Sequence, residues 1–198
     1  MSTTGFHGTK TKNVSKIMNE GFNPHIFGRK RLPNDLGDGA YFFRDSDFEL
    51  SGKEMARRYI EKFVRNGKGN SNTDVSVLKA VVKDDSSFVI VDLDKDVIAF
   101  DRFRIKNEEE IIRKVNFYRT KMGNNQGILK RGNFDGIVTD MFIKFIEKRY
   151  HNNIKIDAVQ RQTYTDITGY GYRISNNNNG VELCIKNVDA IDDISVVM

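Results

Sequence analysis

Three side chains far apart along the chain are of types that can do chemistry together. They are His7 in Gly5-Phe6-His7-Gly8-Thr9, Tyr41 in Gly37-Asp38-Gly39-Ala40-Tyr41-Phe42-Phe43, and Glu182 in Gly180-Val181-Glu182-Leu183-Cys184-Ile185. A carboxylate at the entrance of an apolar strand, away from any charged surface run, can stabilise a positive charge as it develops and take a proton from an incoming nucleophile. A phenol offers a flat ring for stacking, and an imidazole offers a ring nitrogen to a hydroxyl. Gly8, lacking Cβ, lets its backbone N–H and C=O approach a planar polar ligand. Taken singly, each residue also has a structural reading: a histidine satisfied at a strand end, a tyrosine packed among Phe42 and Phe43, a glutamate on an edge strand.

The elements that must position them follow from capping and periodicity. Gly5 to Thr9 reads as a strand running into a turn. Asn13 is placed as the cap of a helix with Val14, Ile17 and Met18 on one face, ended by Gly21. Pro24 and Pro33 bracket a surface loop carrying Arg29, Lys30 and Arg31, and Ala40 to Phe43 form the next strand. Ser51-Gly52-Lys53-Glu54 is a capping box opening a helix whose Met55, Ala56, Tyr59, Ile60, Phe63 and Val64 fall inward, so that Tyr59 is expected to pack in the core. Strands follow at Val75 to Val82 and Phe88 to Leu93. A helix begins near Asn107 behind Glu108, Glu109 and Glu110, which suit the positive end of its dipole. Phe134 to Val138 reads as a strand and Met141 to His151 as a helix. Ile154 to Tyr164 and the stretch from Val181 read as the last strands.

In their order, His7-Gly8-Thr9, Gly21-Phe22, Gly37-Asp38-Gly39-Ala40-Tyr41-Phe42 and the strand bearing Glu182 resemble the donor half and catalytic strand of ADP-ribosyltransferases of the diphtheria-toxin and poly(ADP-ribose) polymerase type. The resemblance is specific around residues 6–43 and 180–191. It implies an α+β fold with a split β-sheet core and flanking helices, and NAD as co-substrate. It also implies roles: Glu182 stabilises the oxocarbenium-like ribose, His7 hydrogen-bonds the adenosine-side ribose, Gly8 meets the carboxamide, and Tyr41 stacks on nicotinamide. Thr9 belongs to the same motif, Tyr59 would be a second ring, and Arg31 would lie in the loop over the diphosphate, where a solvated basic turn is the other reading. Gly180 stands where arginine-modifying toxins carry Glu or Gln, so the chain looks like the His-Tyr-Glu branch.

The segment ahead of Glu182 helps select the acceptor in that family. Here it holds Arg161, Tyr164, Tyr170, Tyr172 and Arg173, rings and guanidinium groups that suit an unpaired base and its phosphate, or else pack in the sheet. The chain has 198 residues and a net charge of +5, with pI 9.2. That size predicts one domain over 1–198, and that charge favours a polyanionic partner. RNA or single-stranded DNA is therefore the expected acceptor, with a protein acceptor and a non-catalytic ADP-ribose- or RNA-binding module as alternatives. RNA 2′-phosphotransferase, on a related fold, needs a distributed Arg and His set that does not stand out here. Small toxins of this family commonly have a neutralising antitoxin partner. The single cysteine, Cys184, excludes an internal disulfide, and three histidines offer no zinc cluster, so no metal is expected. With no apolar run near the length of a membrane span and no leader pattern, a cytoplasmic protein without membrane association is expected.

Overall fold

Short runs rich in β-branched and aromatic residues pair into a seven-stranded sheet in the order β4-β5-β6-β2-β1-β3-β7. The computed structural model describes residues 3–23, 32–66, 74–82, 87–122, 131–167 and 177–198. Its strands are β1 (Thr3–Lys10), β2 (Ala40–Arg44), β3 (Val75–Val82), β4 (Ile90–Asp92), β5 (Ala158–Thr163), β6 (Gly180–Ile185) and β7 (Ile191–Val196). All neighbours are antiparallel except β4 and β5. The helices are α1 (Val14–Glu20), α2 (Gly52–Asn66), α3 (Val97–Lys106), α4 (Glu108–Met122) and α5 (Arg131–Arg149). The expected α+β class is what the chain forms, its strands making one sheet. Its halves are joined at β1 and β2 through a single registered pair, Phe6 with Phe43.

Because strand side chains alternate, the register sorts residues onto two faces. One face carries Phe6, Gly8, Tyr41, Phe43, Val77, Val159, Glu182 and Cys184, in line with their cross-strand partners. There α2 closes over Phe6, Phe43 and Val77 with Met55 and Ala56. The helices α3 to α5 close over Val159 and Cys184 with Phe103, Ile111, Ile137 and Phe142. The opposite face carries Phe42, Leu78, Ala80, Leu183 and Ile185 beneath α1 and Phe22.

Several expectations are corrected. Phe134 to Val138 is the first part of α5, not a strand. The spacing of Phe134, Ile137, Val138, Met141 and Phe142 presents one face to the core, and Gly136 lies so close to the Asn34 backbone that a Cβ would come within 1.7 Å of its carbonyl oxygen. Asn13 makes no side-chain cap bond, because a 3-10 turn over Thr11–Asn13 already leads into α1, and its Nδ2 donates to Thr9 Oγ1 at 3.3 Å. The capping serine of α2 does work as expected, with Ser51 Oγ accepting from Glu54 N at 3.2 Å. Glu54 does not return the bond; its carboxylate pairs with Arg57 and Arg58. On that helix Phe63 is 58% exposed and Tyr59 44%, so neither is a core ring. Among the described residues no helix is long and apolar enough to cross a membrane.

Candidate active site

Glu182 stands in the middle of the sheet, in one row with Phe43 on β2 and Arg161 on β5. Tyr41 is in the next row, paired with Cys184. The seam between the core under α2 and the core under α3 to α5 therefore runs past the carboxylate. Tyr59 reaches the same seam from α2, its ring edge-on to Phe43 with centroids 5.8 Å apart. The structure thus brings Glu182, Tyr41, Tyr59 and Arg161 to one face of the sheet.

The electrostatics of this cluster are dominated by burial. Desolvation, and then the negative charge of Asp35, push the Glu182 carboxyl up to about 7, against the pull of Thr165 and Thr163. The Thr165 hydroxyl donates to Glu182 Oε1 at 2.8 Å. Asp35 is itself raised, by burial first and then by Asp135, while Arg161 pulls it back. Tyr41 is held well above its ordinary value, first by burial, so it stays a neutral phenol. Burial pushes the Cys184 thiol up to about 12, which leaves it a packed thiol and no nucleophile.

Tyr41 is fixed at both ends. Its hydroxyl donates to Gly37 O at 2.7 Å and accepts from Leu36 N at 3.0 Å. The turn it grips is pinned in turn by α5 and the end of β6. Asp38 N donates to both Asp140 oxygens at 3.0 and 3.1 Å. Lys186 Nζ donates to Asp140 Oδ1 at 2.7 Å, Asp38 O at 2.9 Å and Leu36 O at 3.2 Å. Gly37, at φ 86°, has no room for a side chain, since a Cβ would meet Asp140 Oδ1 at 2.0 Å.

His7 is not on that face. It lies with Phe22 and Phe42 on the opposite side of the sheet, edge-on to both rings at 5.2 and 5.8 Å. It is tied to the site through the backbone, because its Nδ1 donates to Tyr41 O at 2.8 Å. A carbonyl can only accept, so Nδ1 carries the proton and Nε2 presents a lone pair. Burial lowers the imidazole below its ordinary value, against that hydrogen bond, and keeps it neutral near pH 7. Continuing the register past Phe6 and Phe43 would set Gly8 opposite Tyr41, yet β1 and β2 form no pair there. The histidine satisfies a carbonyl at the place where the two halves of the sheet part.

Gly8 has a packing role that its sequence context did not reveal. A Cβ there would stand 2.3 Å from Ala56 O and 2.9 Å from Ile60 Cβ, so the bare residue is what lets α2 lie on β1. Gly8→Ala is expected to destabilise the fold by about 2 kcal/mol through this overpacking, read as a lower urea midpoint at unchanged slope. Thr9 is buried on the His7 side and accepts from Asn13. Tyr164 follows β5 directly. Arg31, Tyr170, Tyr172 and Arg173 lie outside the described residues. Asp35 and Thr165 were not singled out from sequence; both sit in polar stretches that read as turns, and their partner Glu182 is distant in the chain. Among the described residues no three His, Cys, Asp or Glu side chains gather as metal ligands would. No protein-family model matches the chain, and neither curated proteins nor solved structures contain a match to it.

Proposed function

We propose that the chain is an NAD-dependent mono-ADP-ribosyltransferase whose acceptor is RNA or single-stranded DNA. The observation that carries this reading is the gathering of Glu182, Tyr41 and Tyr59 on one face of the sheet. His7, on the other face, holds the Tyr41 carbonyl. These are residues to which the motif resemblance assigns donor binding and catalysis.

In the proposed reaction the bond from ribose C1′ to the nicotinamide nitrogen breaks and its electron pair neutralises the departing ring. The sugar is left oxocarbenium-like. Ionised Glu182 faces that positive charge, a new bond forms from the acceptor nucleophile to C1′, and Glu182 takes the proton. The rings of Tyr41 and Tyr59 orient nicotinamide, and the Nε2 lone pair of neutral His7 accepts from a ribose hydroxyl. Arg161, next to Glu182 in its row, offers a guanidinium to an acceptor phosphate. A neutralising antitoxin protein is the partner this reading anticipates.

The test is incubation with adenylate-labelled NAD and separate RNA, single-stranded DNA and protein pools, beside Glu182→Ala. Label in a nucleic-acid pool, lost in the variant, is the expected result. Label in protein alone would move the acceptor, and neither label transfer nor nicotinamide release would overturn the transferase reading. Because only ionised Glu182 works and its carboxyl titrates at about 7, kcat/KM should rise tenfold per pH unit below 7 and level off above it, as a pH profile between 5.5 and 8.5 will read.

A further inference from the structure

Glu182 is held by a residue that is itself held on three sides. Thr165 follows β5 and is buried, and its main chain is paired both ways by one carboxamide. Thr165 N donates to Asn179 Oδ1 at 2.9 Å, and Asn179 Nδ2 donates to Thr165 O at 2.9 Å. Asn179 N in turn donates to Thr163 O at 3.0 Å, closing the base of the hairpin that leads into β6. The next residue, Asp166, is anchored to α2, where Lys62 Nζ meets its carboxylate and its carbonyl, each at 2.6 Å. That ion pair is well shielded, the side chains being 19% and 18% exposed. Ile167 then packs into the core under α2. From this fixed stretch the Thr165 hydroxyl reaches Glu182 Oε1.

We infer that Thr165 is a positioning residue for Glu182: its hydroxyl, aimed by Asn179 and the Lys62–Asp166 pair, fixes one carboxylate oxygen and favours the ionised form that the proposed transfer requires. The inference rests on the transferase reading for its consequence, though not for its geometry. A hydroxyl that donates to a carboxylate stabilises the anion, and here it opposes burial and Asp35. Thr163, two residues earlier and on the same face as Glu182, pulls the same way, although its buried Oγ1 has no hydrogen-bond partner at ordinary distance. Thr165 is therefore the hydroxyl with a formed bond to remove.

Thr165→Val keeps the shape and deletes the donor; Thr165→Ser keeps the donor. The carboxyl of Glu182 is followed by carbon NMR on glutamate-labelled protein and assigned by its absence in Glu182→Gln. Loss of one hydrogen bond to a charged group should move its titration midpoint upward by about one pH unit in Thr165→Val. Thr165→Ser should restore it. In NAD turnover the rising limb should move with the midpoint, lowering the rate at pH 7 about fivefold while leaving the alkaline plateau and the KM for NAD unchanged. An unshifted midpoint in a Thr165→Val protein whose amide spectrum stays native would overturn the proposal. If no chain turns over NAD, the proposed reaction falls while the titration still reports on Thr165. If turnover is present and the titration does not move, it is the positioning role that fails.

Discussion

Glu182→Gln is expected to slow nicotinamide release about a thousandfold and, above pH 7, to make the protein harder to melt. Both effects come from one carboxyl. Gln keeps an oxygen that can accept from Thr165 but has no charge to set against the oxocarbenium-like sugar of the proposed transfer and takes no proton from its nucleophile. The stability gain follows from the direction in which the folded protein moves this group. Its folded-state value of about 7 lies above the ordinary 4.5, so the folded chain binds the proton more tightly than the unfolded one. Stability contributed by Glu182 is then full below about 4.5 and is lost as pH rises through about 7. At pH 8 the native chain carries a desolvated charge beside Asp35 at a cost on the order of 3 kcal/mol, which Gln removes. A rise of roughly 8 °C in Tm is expected at pH 8 for a chain of this size, shrinking towards zero at pH 4.5. Calorimetry at the two pH values reads it directly. An equal Tm difference at both would mean that Glu182 is not desolvated, and the pH–rate limb would lose its basis as well.

The destabilised carboxyl also explains why part of the site could be read in the chain and part could not. Glu182 is legible because a charged residue opening Val181-Glu182-Leu183-Cys184-Ile185 breaks a buried run that nothing local compensates. The compensation comes from Thr165 and the pressure from Asp35, across chain separations that no short pattern spans. The strands β3 and β6 were legible by their β-branched residues and β2 by its run of aromatic ones. α3 left no such mark. Only Phe103 on it is buried, while Val97, Ile98 and Ile105 face outward, so its apolar residues trace no single stripe. In α5 the local signal of Phe134-Asp135-Gly136-Ile137-Val138 favoured a strand, and only contact with Asn34 and the core under α3 to α5 makes it the start of a helix. His7 shows the same limit in another way. Its place in the motif was readable, but its position across the sheet from Glu182 depends on register, which the residues either side of it do not disclose.

Lys186→Met should be the most destabilising of the substitutions considered, at about 3–5 kcal/mol. Its ammonium group serves Asp140 Oδ1, Asp38 O and Leu36 O at once, and the two side chains are only 14% and 24% exposed. Removing the cation leaves the largely buried Asp140 carboxylate with the Asp38 N–H as its remaining hydrogen-bond donor among the described residues, and a buried charge stripped of its partner is costly. Burial already raises Asp140, and Lys186 is the largest influence pulling it back. Without Lys186 the carboxyl will prefer its proton in the folded state, so the variant should recover stability as pH falls and lose it as pH rises, opposite to an ordinary salt-bridged acid. Urea midpoints at pH 5 and pH 8 give the comparison. Asp140→Leu combined with Lys186→Met should regain much of the loss, since no charge is then stranded. The functional consequence runs through the turn: Gly37 O and Leu36 N hold the Tyr41 hydroxyl, so loosening that turn frees the ring proposed to stack on nicotinamide. In Lys186→Met protein still folded at 10 °C, the KM for NAD should rise several-fold while the pH–rate midpoint, set at Glu182, stays where it was. A shifted midpoint with unchanged KM would mean that the Asp140–Lys186 pair acts on Glu182 instead of on Tyr41.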